Sequence, residues 1–152
     1  LGETKVLHYL EVLRDVVGFD KIKEKVVNPL KGRKIGAYYG CMLLRPSREM
    51  QFDDPENPKM LEDFIRAIGA EPVIYAQRNE CCGGYMAVEN RSYAAKQAQK
   101  IMDNAKAQGA ELLITACPLC SYNLLHNTDG ALPVVYFTEL LAEALGCGEE
   151  DA

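Results

Sequence analysis

Five of the six cysteines in this 152-residue chain are spaced as if for one purpose. Cys41 is followed after thirty-nine residues by the adjacent pair Cys81-Cys82, and later by Cys117-Pro118-Leu119-Cys120. Metal ligation and thiol redox chemistry are what such residues do. The two-residue gap lets the sulfurs of Cys117 and Cys120 face one centre, and a helix starting at Pro118 places them at its N-terminus, where the dipole favours thiolate. Proline suits that first turn, because its missing N–H has no partner to lose there. Adjacent cysteines cannot point the same way in extended backbone, so Cys81 and Cys82 suit a turn that wraps a metal. Gly83 and Gly84 permit such a turn and offer backbone N–H groups to a sulfide or thiolate.

The ligand count narrows the chemistry. Structural zinc takes four ligands and a cubane 4Fe-4S cluster takes four cysteines, so a fifth is surplus for either. An iron–sulfur site less regular than one cubane, a zinc site and a thiol–disulfide centre at the vicinal pair stay open on spacing alone. The strained ring of a vicinal disulfide counts against the last as a resting state. Six cysteines also serve secreted disulfide scaffolds, but those chains are loop-rich and poor in core, whereas this one is 48 % apolar and strongly periodic. A reducing, cytoplasmic setting is the expectation.

The elements that must position these thiols follow from periodicity and punctuation. Val6, Leu10, Leu13 and Val17 predict a helix over 3–17 that stops at Gly18, and a second helix over 20–27 ends before Pro29. A buried strand over 34–39 runs into Gly40-Cys41. The proline-rich stretch 45–58 reads as a functional loop. Asn57 as N-cap and Pro58 in the first turn open a helix whose buried face is Leu61, Phe64, Ile65 and Ile68. A strand over 72–76 leads to Cys81-Cys82. A long helix over 90–108 turns Ala94, Ala98, Ile101, Met102 and Ala105 inward, and a strand over 111–116 ends at Cys117. A strand over 133–137 and a helix from Thr138 to Leu145 close the pattern. Alternating strands and helices predict an α/β, Rossmann-like three-layer domain with a mainly parallel sheet of about four strands. Loops leaving the carboxyl ends of parallel strands gather along one edge, so all five cysteines are expected there.

A net charge of −5 and only short basic clusters argue against nucleic acid as a partner. No stretch approaches the ~20 apolar residues of a membrane helix, so direct membrane insertion is not expected. Several further residues read as structural. Cys147 lacks partner spacing, and His8 and His126 are expected to be exposed or hydrogen-bonded. Tyr38, Tyr39 and Tyr85 are expected to pack around the site. Gly83-Gly84 lacks the spacing and lysine of a nucleotide loop. Asp53, Asp54 and Glu56 lack the alternation of a calcium loop and read as a solvated turn.

The cysteine spacing, with Tyr38-Tyr39-Gly40-Cys41, Arg45-Pro46, Phe52-Asp53-Asp54-Pro55, Ala116-Cys117-Pro118-Leu119-Cys120 and Tyr136-Phe137-Thr138, resembles the cysteine-rich CCG domain of the B-type subunit of heterodisulfide reductase and its relatives. The resemblance covers nearly the whole chain. It implies the second, C-terminal one of two such domains, with residues 1–30 a helical connection from a missing N-terminal half and 31–148 the cysteine-rich domain. It further implies a noncubane 4Fe-4S cluster bound by Cys41, Cys81, Cys82, Cys117 and Cys120, with Gly83 beside it, that reduces a small disulfide to thiols. In methanogens that disulfide joins coenzymes M and B. Flavin- and ferredoxin-type subunits are the implied partners. Relatives in quinone- or flavin-linked oxidoreductases leave open a non-catalytic electron-transfer role, and a structural zinc domain is the remaining alternative.

Overall fold

The computed structural model describes residues 2–147 and builds them round four parallel strands. These are β1 (Lys34–Tyr38), β2 (Glu71–Val73), β3 (Leu112–Thr115) and β4 (Val134–Tyr136), in the order β2-β1-β3-β4. Ile35 pairs with Pro72 on one side and Leu112 on the other, and Leu113 pairs with Val134. Pro72 is tolerated because β2 is an edge strand, where a missing N–H costs no ladder bond. The helices are α1 (Tyr9–Glu11, continuing as a π-helical turn over Val12–Val17), α2 (Phe19–Lys25), α3 (Ser47–Met50), α4 (Met60–Ala67), α5 (Arg91–Ala107), α6 (Pro118–His126) and α7 (Phe137–Leu145).

Alternation along the strands divides the interior into two cores. Ile35, Ala37, Tyr39, Leu112 and Ile114 face α1, α2, α4 and α7. Tyr38 and Leu113 face α5 and α6, together with Cys82 and Cys120. The chain crosses one way from β1 to β2 and the other way from β2 to β3 and β4. Crossovers of one hand therefore put α4 on one face and α5 and α6 on the other. The expected three-layer α/β architecture is what forms.

Some local expectations fail for identifiable reasons. The first helix starts at Tyr9, leaving Val6 90 % exposed. His8 stops it: its Nδ1 accepts the Leu10 N–H (3.1 Å), and Glu11 accepts the His8 N–H (2.8 Å), a reciprocal cap. α4 begins at Met60, with Asn57 not its cap. The Asp53 carboxylate accepts the N–H groups of Lys59 and Met60, both at 2.7 Å, so an expected solvated turn residue caps a helix from six residues upstream. α7 starts at Phe137, inside the expected strand, because Glu139 reaches back to the Tyr136 N–H (2.7 Å). Thr138 thus lies within its first turn. The strand expected over 72–76 ends already at Val73, with a 3-10 turn (Ala76–Asn79) after it, and the loop 45–58 contains α3. Among the described residues, no helix is long and apolar enough to cross a membrane.

Candidate metal centre

In the order β2-β1-β3-β4 the topology reverses between β1 and β3, the place where open α/β sheets bind ligands. Cys41 leaves β1 through Gly40, Cys117 leaves β3 through Ala116, and Cys81-Cys82 leaves β2 through the Ala76–Asn79 turn. All five thiols are free.

The vicinal pair splits, as extended backbone requires. Cys81 contacts the Cys41 side chain, while Cys82 is buried against Cys120, which also contacts Cys117. Among the described residues, no three side chains of ligand type are arranged round a single metal ion. Gly83, in the left-handed region at φ 74°, turns the chain so that its own N–H lies 3.3 Å from the Cys81 sulfur. The Gly84 N–H lies 3.4 Å from the Cys82 sulfur. Cys117 is the N-cap of α6, and its sulfur accepts the Cys120 N–H at 3.4 Å. Thr115 Oγ1 accepts the Cys117 N–H at 3.3 Å and steadies the strand end. A Cβ at Gly40 would fall 2.9 Å from the Cys120 sulfur, so that glycine clears room for it.

These contacts set the protons. Cys82 is lowered to about 6, chiefly by the Cys120 thiol, against burial and with help from the Gly84 N–H, Asn123 and Tyr38. Cys117 is lowered to about 6 by the Cys120 thiol and by the N–H groups of Cys120 and Leu119 in the first turn of α6. Cys120 is raised because both neighbouring sulfurs hold its proton, with burial adding to the effect. Burial and the Cys81 side chain push Cys41 up to about 11. Thiolates backed by N–H donors, with glycines where side chains would intrude, fit an electron-rich metal–sulfur group in their donor chemistry.

A second network lies beneath the loops. Buried Glu62 accepts a hydrogen bond from the Tyr39 hydroxyl, and its other oxygen faces Arg78 Nε at 3.1 Å without an aligned hydrogen bond. Arg78 also donates to Asn57 Oδ1 (2.8 Å) and the Tyr75 carbonyl (3.2 Å), and its own carbonyl accepts the Tyr39 N–H (2.8 Å). Arg45 donates to the Asn79 carbonyl at 3.0 Å. The β1 loop carrying Cys41 and the β2 loop carrying Cys81 are thereby tied together and to the stretch 45–58.

Of the tyrosines expected round the cysteines, only Tyr38 is there, its hydroxyl donating to the Glu80 carbonyl at 2.8 Å. Tyr39 turns to the α4 core because successive strand residues alternate faces, and Tyr85 is 69 % exposed. His8 is a structural cap packed edge-on against Phe52, exposed His126 lies against Tyr122 with its ring tilted by 46°, and Cys147 is exposed beyond α7. Sequence reasoning passed over Glu62, Arg78 and Asn123. Asn123 carried a usable signal, since it lies three residues after Cys120 on the same helix face. Glu62 gave none, because its buried partners come from distant segments.

Residues 35–125 match the CCG cysteine-rich domain family, and the chain belongs to it. That span contains the five clustered cysteines and excludes Cys147. The chain is 32 % identical to the 8-methylmenaquinol:fumarate reductase membrane anchor subunit of Wolinella succinogenes, over 95 % of this chain and 54 % of the relative. It is 30 % identical to the B-type subunit of the ferredoxin:CoB-CoM heterodisulfide reductase of Methanosarcina mazei (95 % and 52 %). The same identity relates it to a protein of Archaeoglobus profundus that is itself like the heterodisulfide reductase B-type subunit (98 % and 54 %). The chain spans about half the length of these curated relatives.

Proposed function

We propose that Cys41, Cys81, Cys82, Cys117 and Cys120 together hold an iron–sulfur cluster of the noncubane 4Fe-4S type, and that the domain serves disulfide reduction in an oxidoreductase of the heterodisulfide reductase kind, as part of its B-type subunit. The observation that carries this is the gathering of five thiols from three strand ends, as one contacting pair and one contacting triple. Such a spread suits a group wider than a single ion. When bound, the cluster would supply electrons singly to a disulfide. The chain's own part is to hold thiolates at Cys82 and Cys117, to direct the Gly83 and Gly84 N–H groups at sulfur, and to keep the Cys82 and Cys120 side chains from solvent. Membership of the family and the named reductase relatives support the redox reading. On this reading the partners are flavin- and ferredoxin-type subunits, the substrate is a small disulfide, and the setting is cytoplasmic.

Anaerobic reconstitution of the full chain with iron and sulfide tests it. Bound iron and acid-labile sulfide, with a paramagnetic signal that a small thiol alters, are expected, and replacing any of the five cysteines by serine should lower the iron bound. Protein that takes zinc but no iron would overturn the proposal. The likeness to a quinol:fumarate reductase subunit favours a second reading, an electron-transfer module. There the cluster forms and no thiol changes its spectrum.

A further inference from the structure

Asn123 is buried in α6, 1 % exposed, and its carboxamide points at the Cys81-Cys82 turn. Its orientation can be assigned from the hydrogen bonds alone. Arg91, at the start of α5, has only donors, so the Asn127 atom 3.3 Å from its Nε must be the oxygen Oδ1. Asn127 Nδ2 is then the donor to Asn123 Oδ1 at 2.6 Å. That leaves Asn123 Nδ2 facing the turn, where one N–H donates to the Cys82 carbonyl at 2.7 Å. Gly84 keeps the turn close to α6, since a Cβ there would crowd Leu119 at 3.2 Å and the Cys82 sulfur at 3.3 Å.

We infer that Asn123 is a positioning residue for the metal centre, the inner end of a relay from Arg91 through Asn127 that fixes the Cys82 turn against α6 by a polarised N–H on the Cys82 carbonyl. This rests on the reading that the five cysteines hold a cluster. Hydrogen bonds in series polarise one another, so the charge on Arg91 strengthens the donor at the far end. A donor held at the turn that carries a ligand sulfur places positive charge density near the cluster, which favours the more negative, reduced state and raises the reduction potential. The relay also joins α5 and α6 to the Cys82 turn.

The test is redox titration and paramagnetic resonance of the reconstituted full chain carrying Asn123→Leu, Asn123→Asp or Arg91→Ala. Asn123→Leu removes the donor at similar volume and should shift the potential to more negative values and alter the signal. Asn123→Asp puts a carboxylate beside the Cys82 turn and should shift it further. Arg91→Ala, at the exposed end, should produce a smaller shift of the same sign without loss of iron. An Asn123→Leu centre with the parent's potential and signal would overturn the proposal, whatever the stability of that variant. If no protein, parent included, takes up iron, the cluster reading itself fails. Hydrogen exchange on metal-free protein then decides: faster exchange of the amides from Cys82 to Met86 in Asn123→Leu, with α4 unchanged, supports the positioning role, and unchanged exchange overturns it.

Discussion

Gly40 and Gly109 both have positive φ, 68° and 89°, so alanine at either incurs left-handed strain of about 1–2 kcal/mol. Their surroundings differ. The added methyl meets the Cys120 sulfur at Gly40 and nothing within 4 Å at Gly109. Urea unfolding should therefore show Gly40→Ala losing at least as much stability as Gly109→Ala, and reconstitution should show only the former losing iron. Equal iron uptake by the two would mean that Cys120 tolerates displacement. Glu62 gives a pH-dependent case. Burial pushes its carboxyl above the ordinary range despite Tyr39 and Arg78. The folded state then keeps a proton that the unfolded chain releases near pH ~4.3, so this group's contribution to stability falls as pH rises from there through the raised folded value. Glu62→Gln removes that slope, and the difference in urea midpoint between parent and variant should move steadily in the variant's favour as pH is raised across this window. A difference constant with pH would assign the slope to other carboxylates. Glu62→Leu instead leaves the buried Arg78 charge unpaired and should cost about 3–5 kcal/mol at neutral pH.

Between elements the decisive bonds are the caps. Asp53 serves the first turn of α4 although the chain passes through Asp54, Pro55, Glu56, Asn57 and Pro58 in between. Asp53→Ala should lower stability by about 1–2 kcal/mol and speed exchange in the first turn of α4. Asn57→Ala should leave that turn protected, because its side chain serves Arg78. The same exchange response from both variants would return the cap to Asn57. The contrast shows which parts of the fold were legible in the sequence. The inward faces of α4 and α5 could be read because each is a local repeat of 3.6 residues. Pro118 at the start of α6 could also be read, from a local rule. The start of α4 could not, since its cap arrives through a folded loop, and the start of α1 was hidden because histidine is an uncommon cap. The expected strand ends at Ala76 and Phe137 were not reached, because β2 stops at Val73 ahead of a 3-10 turn and α7 starts at Phe137.

At the scale of the molecule, the candidate site was legible to the extent that topology alone creates it. Strand ends of a parallel sheet bring Cys41, Cys81, Cys82, Cys117 and Cys120 to one edge whatever the details of packing. Hidden were the pairings that need three dimensions, namely which thiols Cys81 and Cys82 each meet, the Glu62–Arg78 contact and the Asn123 relay. The two cores make a further consequence testable. The core beneath α1, α2, α4 and α7 contains no cysteine, whereas the core beneath α5 and α6 includes Cys82 and Cys120 and packs against Cys117. The first face can form without metal, unlike a zinc finger whose folding free energy is its metal binding. Metal-free protein should accordingly keep its helical circular dichroism and protected amides in β1 and α4. Adding the cluster should slow exchange chiefly in α6 and in the turn from Cys82 to Met86. Amide exchange followed by mass spectrometry before and after reconstitution checks this. Protection gained equally in α4 and α6 would mean that the metal organises both faces and that the cysteine-free core does not stand by itself.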